Sequence, residues 1–147
     1  MRVWYFPIVF AREGSVMRIA TLLARVLLGG LFVVFGLNFF LHFLAMPAPE
    51  PDSAPARFFG VVGTSGWMDV VAVCQIVGGL LVLSGFLTPL GLVVLGPVIV
   101  NIQLYHLFID HQFVPVAAGV AILEIFLIYR YWPHFAPVFD TNTRQVS

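Results

Sequence analysis

Two stretches of the chain carry no charged residue, one between Val26 and Pro49 and one between Val70 and Ile109. A helix that crosses a bilayer needs roughly 20 apolar residues, so the second stretch is long enough for two. The break inside it is "GFLTPLG", Gly85 to Gly91, where glycine and proline mark a tight turn. A further apolar run, interrupted by Glu124, leads to the aromatic and basic group Tyr129, Arg130, Tyr131 and Trp132. The pattern predicts four helices, over about residues 18–46, 67–86, 89–109 and 113–132. The expected fold class is all-α, an integral membrane four-helix bundle.

Composition agrees with that pattern. The 147 residues are 61% hydrophobic and 10% charged. A soluble domain has about 25% charged residues, so this chain could not cover itself with a polar surface. Seven arginines and no lysine balance seven acids. A net charge of zero argues against nucleic acid as a partner, because phosphate binding needs a basic patch. Arg2, Arg12, Arg18 and Arg25 lie at the start and Arg130 and Arg144 at the end, whereas only Arg57 sits in a connecting loop. With an even number of spans, the positive-inside rule places both termini in the cytoplasm. Trp67 and the Tyr129–Trp132 group then fall at opposite interfaces, where aromatic belts belong.

The ends and the first loop stand apart from the spans. Residues 1–17 form an N-terminal extension without the apolar core and cleavage site of a signal peptide. A second methionine, Met17, directly precedes Arg18, so the extension is open to being untranslated; the intact mass of the natural protein decides. Residues 18–139 form the transmembrane domain and 140–147 a polar tail. In the loop "PAPEPDSAPARFFGVVGTSG", Asp52 and Ser53 are placed to cap a short helix through "ARFFGVV", with Pro55 in its first turn and Phe58 and Phe59 dipping into the interface. An irregular surface loop is the alternative.

Polar residues inside the spans are the candidates for chemistry. At 1.5 Å per residue, Asn38, Gln75 and Asn101 lie at one level, about 10–13 Å below the outer surface. His42 is one turn above Asn38 on the same face, and Asp69 and His106 are nearer the surface. Asn38, His42, Asp69, Gln75, Asn101 and His106 are therefore expected to converge in a polar pocket in the outer half. Gly29 and Gly36, and likewise Gly78 and Gly85, are seven apart, which suggests faces where backbones approach closely and turns Gln75 inward. The competing reading is that Asn38, Gln75 and Asn101 only join helices by hydrogen bonds. Imidazole can carry a proton, bind a metal or hydrogen-bond a quinone carbonyl. The spacing of two histidines and one acid matches no metal motif, so no metal is assigned and a quinone or other small molecule is the ligand left open. Asp110, His111 and His134 are read as solvated groups at the water boundary, with Asp110 capping its helix.

In the inner half, Arg25 and Glu124 lie at matching depths. A charge there costs roughly 2.5–3.5 kcal/mol unless paired, so a structural Arg25–Glu124 ion pair is expected. Cys74, alone in an apolar run, can form neither an internal disulfide nor a CxxC pair. The chain also lacks GxGxxG, P-loop and HExxH motifs.

"RVLLGGLFVVFGLNFF", "QIVGGLLVLSGFLTPLG" and "PVIVNIQLYHLFID" resemble, in order, segments of the DoxX family of small bacterial membrane proteins. The resemblance runs from about Leu23 to Phe139 and implies a four-helix membrane bundle in the bacterial inner (plasma) membrane. Named members look like membrane subunits of oxidoreductase systems, including a thiosulfate:quinone oxidoreductase and a mycobacterial complex with thiol- and superoxide-handling partners. Gln75 stands where many relatives carry Glu, and Gln cannot exchange protons. The resemblance supplies no catalytic residue. It implies a non-catalytic membrane subunit, or a small-molecule- or quinone-binding component, of a redox or envelope-stress system. The alternatives are a membrane enzyme subunit of the thiosulfate:quinone oxidoreductase type and a small oligomeric transporter. Expected partners are the lipid bilayer and either a soluble oxidoreductase or a second copy of the chain.

Overall fold

The computed structural model describes residues 14–112 and 114–139; the expected tail and most of the expected extension lie outside the described residues. Helix α1 spans Ser15–Leu41, α2 Ala54–Thr64, α3 Trp67–Ser84 and α4 Thr88–Tyr105. The last of these continues as a π-helical turn, His106–Asp110. Helix α5 spans Pro115–Arg130, and α6, Trp132–Phe135, runs into a 3₁₀ turn, Ala136–Phe139. No strand occurs among the described residues.

Three helices are long and apolar enough to cross a membrane: α1, α3, and α4 with its π turn. A fourth span exists if α5 and the segment after it count together, and these meet at a 73° bend. Of the most apolar window of each long helix, only 22–28% is buried inside the protein. Much of the rest, including Val34, Val73, Leu80, Val93 and Val100, is exposed. Such a surface is stable only against lipid.

Local chemistry sets the helix ends. Helix α1 stops five residues short of the expected boundary because His42 adopts a left-handed conformation, φ 52°, and its N–H bonds Asn38 O at 2.8 Å. Ser53 caps α2 by accepting from Ala56 N–H at 3.2 Å, with Pro55 in the first turn. The loop is thus a helix, as the capping reading expected. Gly85, φ 75°, closes α3 and starts the turn into α4.

The helices form a ring in which α1 touches α3, α3 touches α4, α4 touches α5, and α5 returns to α1. Glycines set the closest approaches. A Cβ at Gly29 would lie 2.7 Å from Gly79 O, and one at Gly36 would lie 2.9 Å from Ala72 O. The neighbouring Gly78 serves the other side of α3, where a Cβ would meet Leu95 of α4 at 2.7 Å. This corrects the expected Gly78–Gly85 face: Gly79 meets α1, Gly78 meets α4, and Gly85 is a turn residue. Leu28, Phe32, Val82, Leu92, Leu95, Ile99, Val120 and Leu127 fill the centre.

The two ends of the ring differ in charge. One end holds the start of α1, the α3–α4 turn and the end of α5, with Arg18, Arg25 and Arg130. The other holds α2, the start of α3 and the π turn, with Glu50, Asp52, Asp69, Asp110 and Arg57.

Candidate functional site

The six residues expected to share a pocket are engaged separately. Asn38 is buried, but it serves the chain just after α1: its Oδ1 accepts from Leu44 N–H at 2.6 Å and its Nδ2 donates to Leu44 O at 3.2 Å. His42 is the exposed residue that terminates α1, and Asp69 is exposed in the first turn of α3. Asn101 lies on an exposed face and donates to Pro97 O, one turn back in its own helix, at 2.8 Å. Gln75 is half-buried, and its Cβ faces α1 at Gly36 as expected. Among the described residues, no hydrogen bond or ion pair joins any two of the six. Counting along a helix says nothing of direction around its axis, which is why residues expected at one level form no common pocket.

His106 is the exception, and its partner is Asp110. The His106 Nδ1 lies 3.1 Å from Asp110 Oδ2, with side-chain exposures of 21% and 17%. An ionised carboxylate only accepts, so with Asp110 ionised the contact requires the proton on Nδ1. Asp110 is therefore not a solvated cap, as first expected. Positions i and i+4 share a helix face, which brings the two together. The π-helical turn that carries them is a rare element, frequent at functional sites.

An aromatic cluster adjoins this pair through Tyr105. Tyr105 stands edge-on to His106, with centroids 5.0 Å apart. Phe58 and Phe59 of α2 meet Tyr105 at 5.4 and 5.3 Å. Helix α2 thus lies against the π turn as well as α3. Gln103, which was outside the expected set, fixes the same region by donating from Nε2 to Ala117 O of α5 at 2.6 Å. The result is a half-open site at the membrane boundary. The Nε2 of His106 is left for a ligand, with the Tyr105 ring edge-on beside the imidazole and Phe58 and Phe59 packed behind Tyr105. The His–x₃–Asp spacing was visible in the sequence; the rings supplied by α2 were not.

The expected Arg25–Glu124 ion pair is not formed. Arg25 lies on the face of α1 that packs on α3, and donates from Nε to Val82 O at 3.0 Å and from Nη2 to Leu83 O at 2.9 Å. Those carbonyls belong to the last turn of α3 and lack helical donors, so the guanidinium supplies what the helix end needs. Gly85 makes room for it: a Cβ there would run into the guanidinium. Glu124 is 4% exposed and neither carboxyl oxygen has a hydrogen-bond partner among the described residues. A Cβ at Gly96 of α4 would lie 3.8 Å from its Oε1. A buried polar group without a partner costs about 1–3 kcal/mol. Glu124→Met should therefore raise stability by about 1–3 kcal/mol, read as unfolding in detergent; a loss of stability would show a partner for the carboxyl. No group of three or more His, Cys, Asp and Glu with metal-binding geometry occurs among the described residues.

A family model described as DoxX matches residues 20–108. The match runs from α1 to the π turn and includes Arg25, the six expected pocket residues and Tyr105. No curated protein and no solved structure matches the chain. With more than half of its length matched and its long apolar helices turned outward, the chain is an integral membrane protein that belongs to the DoxX family.

Proposed function

We propose that this protein is a non-catalytic membrane subunit that binds a quinone at the His106–Asp110 site, on behalf of a redox system of the bacterial inner membrane. The carrying observation is the carboxylate-oriented histidine beside Tyr105, whose ring Phe58 and Phe59 extend into an aromatic cluster at the end of the span. A quinone is planar, amphipathic and carries two carbonyls, so it suits aromatic faces beside one polar group. With Nδ1 held by Asp110, the neutral ring offers Nε2 as an acceptor for a quinol hydroxyl. The protonated ring offers it as a donor to a quinone carbonyl. One pair therefore serves both redox forms, while electrons come from a partner that carries the redox group. That partner is a soluble oxidoreductase.

The orientation follows from charge. With Arg18, Arg25 and Arg130 at one end, that end is cytoplasmic and the His106 site faces the outer boundary. Titration of the purified protein with a short-chain quinone, followed by tryptophan fluorescence, tests the reading. His106→Ala should weaken binding by about tenfold or more, since a hydrogen bond involving a charged group is worth about 1.5–3 kcal/mol. Asp110→Asn should fall between the two. Equal affinity in wild type and His106→Ala would remove the basis for the proposal.

A further inference from the structure

At the opposite end of the bundle, a cleft of about 270 Å³ opens between α1, α5 and α6. Arg18, Thr21, Leu22, Arg25, Arg130, Tyr131 and His134 line it, and among the described residues no carboxylate does. Along α5 the nearest carboxyl is Glu124, six residues back from Arg130 and buried in the core. The cationic side chains are built in rather than scattered. Thr21 Oγ1 donates to Met17 O at 2.8 Å and accepts from Arg130 Nε at 3.1 Å, which fixes that guanidinium on α1. Arg25 spends two of its five N–H groups on the α3 carbonyls and has three more to offer. Arg18 is exposed and makes no hydrogen bond among the described residues.

We propose that this cleft binds the phosphate of an anionic phospholipid headgroup. Converging guanidiniums match phosphate oxygens in geometry and charge, and basic pockets between transmembrane helices are suited to such headgroups. A lipid, rather than a free phosphate, is favoured by the apolar surroundings. Leu22 lines the cleft and is half exposed. After the 73° bend, Trp132 stacks on Phe139 at 5.4 Å, and Val138 is 79% exposed. That segment lies across the end of α5 as an interfacial anchor would, with apolar surface for acyl chains beside a charged head site. The site is separate from the quinone site and stands or falls without it.

The test is native mass spectrometry of the full-length protein in mild detergent, with equal amounts of phosphatidylglycerol and phosphatidylcholine. Phosphatidylglycerol should stay bound while phosphatidylcholine is lost, and binding should weaken as salt rises. Arg18→Gln, which breaks no hydrogen bond to a described residue, should cut phosphatidylglycerol retention about fivefold. Thr21→Val, which keeps every charge but removes the hydroxyl that accepts from Arg130 Nε, should also reduce it. Equal retention of the two lipids, or full retention in Arg18→Gln and Thr21→Val, would overturn the proposal. Inorganic phosphate forms the other arm: if millimolar phosphate displaces the lipid and stabilises the protein as well as the lipid does, the site is one for soluble phosphate and the lipid assignment fails.

Discussion

Gly79→Leu should destabilise the protein by about 3 kcal/mol or more, the upper end of the cost of overpacking. The reason is that the new side chain meets backbone, which cannot swing aside. A Cβ at Gly79 would lie 2.7 Å from Gly29 O and 3.0 Å from Val33 N, both in α1. Relief requires α1 and α3 to separate, and this is the most extensive helix contact in the molecule. Separation would also pull the α3 carbonyls away from Arg25 and Ala72 away from Gly36. Gly30 is the internal control, because a Cβ there meets nothing within 4 Å. Gly30→Ala should leave the unfolding midpoint unchanged or raise it slightly, since alanine favours a helix more than glycine does. Similar losses for the two variants would mean that α1 and α3 are not in this register.

Arg25→Met should cost about 2–3 kcal/mol. Methionine keeps much of the apolar stem but removes both donors, so the carbonyls of Val82 and Leu83 lose their partners at the end of α3. Hydrogen bonds to a charged donor are worth about 1.5–3 kcal/mol each, and the estimate is held near that of one bond because the group is only partly buried. Combining Arg25→Met with Glu124→Met separates the observed arrangement from an ion pair. If the two side chains do not touch, the cost of the first and the gain of the second should add within about 0.5 kcal/mol. A pair would behave otherwise: Glu124→Met alone would strand a buried guanidinium and lower stability, and the double variant would recover part of the loss.

How far the sequence speaks for itself is seen in these residues. Hydropathy and the Gly–Pro turn located α1, α3 and α4 to within a few residues, because the bilayer imposes a length and glycine a conformation. The cap of α2 was legible for the same kind of reason: Ser53 and Pro55 act on their own neighbours. What counting does not carry is the direction in which a side chain points. Asn38 and Asn101 were expected at one level, yet one turns to its own loop and the other to an exposed face. Arg25 and Glu124 fail to meet for the same reason, as Arg25 faces α3 while Glu124 faces α4 at Gly96. The end of α1 was missed because His42 adopts a left-handed conformation that glycine or asparagine more often supplies. In the candidate site, the His106–Asp110 spacing was local and readable. The aromatic cluster was not, because Phe58 and Phe59 reach Tyr105 from more than forty residues away in the chain.

The central claim is that a quinone occupies the His106–Asp110 site. Its most direct measurement is photoaffinity labelling in native membranes with an azido-quinone, followed by mapping of the labelled peptides. The account predicts label on the segments holding Phe58–Phe59 and Tyr105–Asp110, lost when excess unlabelled quinone is present and reduced in His106→Ala. Label spread evenly over the lipid-facing helices, or concentrated at the arginine end and indifferent to competing quinone, would contradict it.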